Sequence, residues 1–446
     1  MKRIIVLSSV LMMTLVVLAD NTPKSISLTT DQQGLVVSNN DFAFNLFRKA
    51  RKDENMILSP LSITYALGML NNGAAGETLQ QINTVLGFGD AGADAINDFC
   101  RKMLSEAQVL DELTKVMISN TIFFNAAKGY VLKDEFVKKA NKYYEAEPES
   151  RNFGDGKTLD VINKWANDHT EGMIPQILKE DEFDADAVSY LLNALYFKGT
   201  WTLKFDEAET KAEQFGQEEV PMMHLENNLP YMDDTDCQVL ALPYGNGAYQ
   251  MTILLPHEGK TVNEVLQGLT AEKWKQYKWM DEAVVDVKLP RFESMTELEL
   301  NDIMSELGMP NAFVLGIAEF PNFCSMEDIY ISLMKQVAKI EVNEVGTEAA
   351  AVTIIGVKES AGPEEPPHVK FHANRPFLYI ISEQSTGSIF FIGQFMGNQK
   401  GDPAGITPSS LDTPSSTKIY NLAGQQLSSP PTQGIYIRDG KKMVAP

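Results

Sequence analysis

The chain has 446 residues, 44% hydrophobic and 22% charged, enough apolar material for a large core in one or two globular domains. Its 60 Asp and Glu outweigh 38 Lys and Arg, a formal net charge of -22, which disfavours a nucleic-acid backbone as partner and favours solubility. Three cysteines, Cys100, Cys237 and Cys324, are odd in number and too widely spaced for a zinc or redox motif, so they read as buried, inert thiols.

At the N-terminus Lys2 and Arg3 precede an apolar or small run from Ile4 to Leu18, then Ala19 and a polar stretch from Asp20. This is the pattern of a secretory signal peptide over residues 1–19, with Val17 and Ala19 as the small residues before the cut. The run is shorter than the roughly 20 residues of a membrane span. The expected location is secreted, extracellular or at the cell surface, with the periplasm as the other compartment, and no membrane span is expected.

Residues 34–397 alternate helical and strand patterns without a long linker and read as one domain. Asp41 to Arg51 places Phe42, Leu46 and Phe47 on one helical face, and Ser62 to Leu70 does the same with Ile63, Ala66, Leu67 and Leu70. Short apolar or alternating runs at Val239–Tyr244, Tyr249–Pro256, Val284–Leu289, Phe377–Ser382 and Ser388–Phe395 read as strands. Helices and strands mixed without a βαβ rhythm predict an α+β fold. Residues 398–417 have the Gly, Pro, Ser and Thr composition of a linker. A short tail, 418–446, follows with two expected strands, Ile419–Leu422 and Gly434–Arg438, and a basic end at Lys441 and Lys442; it is too short to fold securely alone.

Catalytic patterns are missing from the sequence. His169, His224, His257, His368 and His372 are scattered singly, none in HExxH spacing, and there is no GxSxG elbow, P-loop or GxGxxG run. Gly245 and Gly247 flank a turn without a third glycine. His368 and His372 are four apart, but in an extended, Pro-bounded segment where their side chains need not share a face. Neither an enzyme, a metal nor a cofactor is expected.

The informative stretch runs from Glu341 to Pro367, beginning as a strand and ending as a loop. Within it Thr347, Ala349, Ala351 and Thr353 alternate with Glu348, Ala350 and Val352, so one face of a strand would carry only small side chains and could enter an existing sheet. An Ala-rich helix is the alternative that composition leaves open.

This stretch resembles the hinge and reactive-centre loop of the serpin family of protease inhibitors, and the likeness runs across most of the chain. Leu58-Ser59-Pro60-Leu61-Ser62-Ile63 and Gly73-Ala74-Ala75-Gly76-Glu77-Thr78 resemble the family's helix B and its continuation. Asn120-Thr121-Ile122-Phe123 looks like strand 2 of sheet A, and Ile162-Asn163-Lys164-Trp165 with Thr170-Glu171-Gly172 like the helix F region. Asn193 through Trp201 is similar to the strand and turn where the sheet opens, and Phe371 through Leu378 to the C-terminal signature.

The resemblance implies an α+β serpin fold with three β-sheets and about eight or nine helices. It also implies an exposed reactive-centre loop, and a monomer that inhibits its target endopeptidase through a covalent acyl complex after loop cleavage and insertion. Glu344, Gly346, Thr347, Glu348, Ala349, Ala350 and Ala351 match the hinge, with Thr347 expected at the loop's exit, in reach of water. Counting forward from the hinge puts the reactive bond at Ser360–Ala361, while counting back from Phe371 puts it between Pro363 and Glu365. Lys358, followed by Glu359, would suit a trypsin-like protease, and Val357 an elastase-like or papain-like one. Ser59, Asn193 and Trp201 match the regions where the sheet opens, and Gln336 stands where members commonly have His. The other reading is a non-inhibitory serpin acting as a binding or storage protein. The tail resembles the sorting segments of the type IX export route of Bacteroidetes, which implies a secreted bacterial member.

Overall fold

The computed structural model describes residues 23–89, 91–347 and 366–397, and the strand residues 419–421, 426–427, 434–438 and 441–445. Nine α-helices and three sheets occur among them. The first helix spans Thr30–Ala50 and begins ahead of the expected Asp41, because Thr29 and Gln32 close a capping box upstream of the apolar stripe. Helix Pro60–Asn71 has Ser59 as its cap and Pro60 at its first position, where a missing N–H costs nothing. Every one of its residues is buried, including the polar Ser62, Thr64 and Asn71, so the helix lies inside the core rather than against it on one face.

A six-stranded sheet lies against this helix, in the order Phe292–Glu299, Leu333–Val342, Gly346–Thr347, Ser189–Thr200, Thr114–Asn125, Glu149–Arg151. Its two central long strands, Ser189–Thr200 and Leu333–Val342, pair in parallel from Tyr190 with Leu333 to Tyr196 with Lys339. Beyond that point they part, and the two-residue strand Gly346–Thr347 occupies the gap.

The second sheet has nine strands, with Phe377–Glu383 and Ile389–Phe395 deep inside it and His368–His372 at one edge, parallel to Asp281–Pro290. Two of the expected sheets are joined in this path. The 16-residue strand Glu218–Asp233 pairs with Asp281–Pro290 over most of its length and with Cys237–Tyr244 only through Tyr231–Asp233.

Apolar residues fill two cores. The larger lies between the sheets and around helix Pro60–Asn71. The smaller is on the other face of the six-stranded sheet, where Ile162, Ala166, Ile174, Ile177 and Leu178 cover Leu192, Ala194 and Val337. This cover therefore spans both central strands. Asn163, on helix Thr158–His169, clasps it: its Oδ1 accepts from Ile177 N and Leu178 N, both at 2.9 Å, and its Nδ2 donates to Leu178 O at 2.9 Å. Nearby, the buried Lys335 ammonium on the central strand meets Glu182 at 2.7 Å and Glu297 at 3.4 Å.

Residues from Asp402 onward form a separate compact unit. Among its described residues are four strands rather than the two expected, in the order Gln426–Leu427, Ile419–Asn421, Gly434–Arg438, Lys441–Ala445. The basic pair Lys441 and Lys442 belongs to the last strand, because a single hairpin leaves backbone groups on both edges that further strands can pair.

Asn163→Ala is expected to cost about 2 kcal/mol, since it strands two backbone donors that the clasp satisfies. Urea unfolding of the variant beside the wild type measures this.

Candidate functional site

The gap between the central strands gathers most of the sequence-singled residues that lie within the described part. At its upper end the chain turns back after Val342. Asn343 Oδ1 accepts from Val345 N at 3.0 Å and Gly346 N at 3.2 Å, closing the turn. Trp201 fastens it from the other side. The Trp201 backbone N donates to Val345 O at 2.9 Å, and its Nε1 donates to Asn343 O at 2.8 Å.

Glu344 is 6% exposed and accepts from Arg291 Nη2 and the Thr210 hydroxyl, while its carbonyl accepts from Phe205 N at 3.0 Å. Gly346 has φ +155°, and a Cβ there would lie 2.0 Å from Gly199 O, so only glycine passes this close to the neighbouring strand. Thr347 then pairs with Gly199 on one side and Val342 on the other.

Thr347 is wholly buried, which corrects the expectation that it sits in reach of water. Its small side chain fits beneath the sheet, where its hydroxyl meets that of Tyr244 at 2.7 Å. An Arg at this position would have no water to reach in the uncleaved protein either. Glu348, Ala349, Ala350, Ala351, Val357, Lys358, Glu359, Ser360 and Ala361 lie outside the described residues.

Midway along the paired strands Gln336 faces Asn193 directly. Gln336 Nε2 donates to Asn193 Oδ1 at 2.6 Å and to Ser59 O at 3.1 Å, and its Oε1 accepts from Ser59 N at 3.0 Å. Asn193 Nδ2 in turn donates to Asn120 Oδ1 at 2.6 Å and to the Ser62 hydroxyl. One polar cluster thus links three strands of the sheet to the cap of the central helix. Glutamine manages this because its amide carries both donors and an acceptor.

Three residues of the site had little sequence signal. Tyr244 is only the last residue of an apolar run, and Arg291 and Thr210 are single polar residues whose importance depends on a long-range contact. The histidines also need correction, since two of them are not isolated in space. His224 and His372 meet the same carboxylate, with Nε2 at 2.9 Å from Asp286 Oδ1 and 3.1 Å from Asp286 Oδ2. Adjacent strands bring them together, and sequence spacing could not show it.

The seam has the chemistry of a joint rather than of a catalyst. The hydrogen bonds of His169, His224, His257 and His372 run to carbonyl or carboxylate oxygens. Burial raises all three thiols, that of Cys237 to about 12. Among the described residues no group of three or more His, Cys, Asp or Glu is disposed to hold a metal, and no helix is long and apolar enough to cross a membrane.

Residues 37–397 match the family model described as Serpin (serine protease inhibitor). The chain belongs to the serpin family. Human Serpin B4 is 32% identical over 387 residues, covering 80% of this chain and 98% of that protein. Human plasminogen activator inhibitor 2 is 32% identical over 418 residues, covering 81% and 99%. Among solved structures, the thermophilic serpin tengpin in its native state superposes with a TM-score of 0.75 at 29% identity, over 84% of this chain and 97% of its own. Human thyroxine-binding globulin complexed with thyroxine gives 0.73 at 25% identity, over 82% and 98%. The family is one of protease inhibitors, which are not enzymes in the catalytic sense.

In this serpin the Glu344 carboxyl lies below its ordinary value of 4.5. Burial would raise it, but the hydrogen bonds from Arg291 and Thr210 and the Arg291 charge outweigh that effect. The stability that the ionised group contributes is therefore complete above pH 4.5 and vanishes as the pH falls through the lower folded value. Glu344→Gln should cost about 2 kcal/mol near neutral pH, with the difference from wild type narrowing below pH 4.5. A thermal melting series from pH 7 to 3 checks it.

Proposed function

We propose that this serpin is an irreversible suicide-substrate inhibitor of serine endopeptidases, and of cysteine endopeptidases with papain-like specificity. The observation that supports this most is the seated hinge: a glycine and a small buried threonine already fill the top of the gap between the two central strands. The residues that follow, Glu348 to Thr353, keep one face small, so nothing bulky opposes further entrance.

The target's own Ser or Cys nucleophile attacks the loop carbonyl, at Ser360 if the forward count holds. An acyl bond forms to the protease, and the amine of Ala361 leaves as a new chain end. The freed strand then extends the ladder that Gly346 and Thr347 begin. Continuing their pairing one residue at a time brings Thr353 opposite both Asn193 and Gln336. There its hydroxyl takes over part of the bridge between those amides, while Ala349 and Ala351 come beside Phe197 and Leu195 as small in-register neighbours. The inserted strand carries the protease away and distorts its site before water can release it.

Residues 1–19 direct secretion in this reading. The tail, like type IX sorting segments, would carry a bacterial protein to the cell surface. The fold does not decide between inhibitor and carrier, since thyroxine-binding globulin shares it. The small-residue hinge favours the inhibitor over the non-inhibitory alternative.

Incubation with trypsin-like, elastase-like and papain-like proteases should give at least one complex that survives denaturing electrophoresis. Cleavage by all of them without such a band would defeat the proposal. Loop cleavage should also raise the melting temperature by about 10 °C or more, because a new central strand adds several kcal/mol of pairing and burial. A cleaved form that melts at or below the intact protein would rule out insertion.

A further inference from the structure

We propose that the Tyr244–Thr347 hydroxyl pair is a latch that keeps the hinge seated in the sheet before any protease arrives, making Tyr244 a positioning residue for strand insertion. Its role in insertion rests on the inhibitor reading above; the latch itself does not.

The two hydroxyls are 2.7 Å apart and both residues are fully buried. Each hydroxyl has the other as its side-chain partner in a dry pocket. The Tyr244 ring has little freedom to turn elsewhere. It stacks on Trp201 with centroids 4.3 Å apart and planes at 12°, and meets the edge of Phe197 at 5.0 Å. Gly199 makes room for it, since a Cβ there would lie 2.8 Å from the ring. The same bare backbone of Gly199 faces Thr347 in the sheet. Tyr244 therefore reaches the hinge side chain at the one place where the strand above it has no side chain.

Among the described residues the seated strand comprises Gly346 and Thr347, and the Tyr244 hydroxyl is the side-chain group that meets it from beneath the sheet. Tyr244→Phe leaves the Thr347 hydroxyl dry and unpaired while the hinge is seated, and withdrawal returns it to water. Thr347→Val, equal in shape, strands the Tyr244 hydroxyl in the seated state, and withdrawal lets water reach it. Making both changes removes both polar groups and leaves an apolar pair of the same shape, so the hinge should seat again. A merely structural role for either residue would give losses that add instead.

Amide exchange followed by mass spectrometry on the uncleaved protein reads the latch without any protease. The informative amides are those of Val345 and Gly346 in the turn and that of Trp201, which donates to Val345 O. Each single variant should exchange about tenfold faster or more in these segments. Thr347→Ser, which keeps the hydroxyl, should stay near wild type, and the double variant should return to within about threefold of it. Single variants that exchange at the wild-type rate, or a double variant faster than either single, would overturn the latch. With a protease that the wild type traps, the single variants should need more inhibitor per protease inactivated and the double variant should not. Unchanged stoichiometry in the single variants would overturn the positioning role. A wild type that traps no protease would sink the inhibitor reading, and the exchange result would still decide the latch.

Discussion

Two parallel strands that are joined along part of their length and separated over the rest set the conditions for everything else in this molecule. Where Ser189–Thr200 and Leu333–Val342 pair, their backbone bonds and the Gln336–Asn193 amide contact close the sheet. Where they part, backbone donors and acceptors face a gap that must be filled, because unpaired polar groups beneath a packed sheet are costly. The turn at Asn343 lets the chain fill that gap with its own next residues. The hinge's position thus follows from hydrogen-bond satisfaction before any question of function arises.

The surroundings resist opening on three levels. The polar cluster of Gln336, Asn193, Asn120 and Ser59 must exchange partners, and Asn120 Nδ2 already lacks one. On the opposite face an apolar cover lies across both strands, held by Asn163, with Lys335 tied to carboxylates on either side. At the top, Glu344 is locked to Arg291 and Thr210. None of these is a strong barrier alone, and each is made of bonds that can be replaced by others of the same kind. Together these contacts hold the sheet closed along the paired length of its central strands.

Much of this was legible in sequence. The helix around Pro60 announced itself by the helical spacing of Ile63, Ala66, Leu67 and Leu70, and the strands of the nine-stranded sheet by short runs between turn residues. The alternation of small residues after Thr347 showed what kind of face the segment could present, though not that Thr347 itself is already seated in the sheet; that depends on how far apart two distant strands stand. Tyr244, Arg291 and the shared Asp286 were illegible for the same reason, since each acts through a partner far away along the chain. The tail's extra strands escaped because its short segments, such as Gln426–Leu427, are defined by pairing rather than by composition.

The placement of Phe377–Glu383 and Ile389–Phe395 has a topological consequence. These two strands are threaded into the interior of the nine-stranded sheet, pairing with each other and with Tyr249–Pro256 and Met56–Leu58. All of their residues are buried. A break in the polypeptide anywhere between Thr347 and Pro366 would produce two chains, but the shorter would remain intercalated in the longer as a complemented fragment. Whatever is appended beyond Gly397 would stay with the body for the same reason, because it is joined to that fragment.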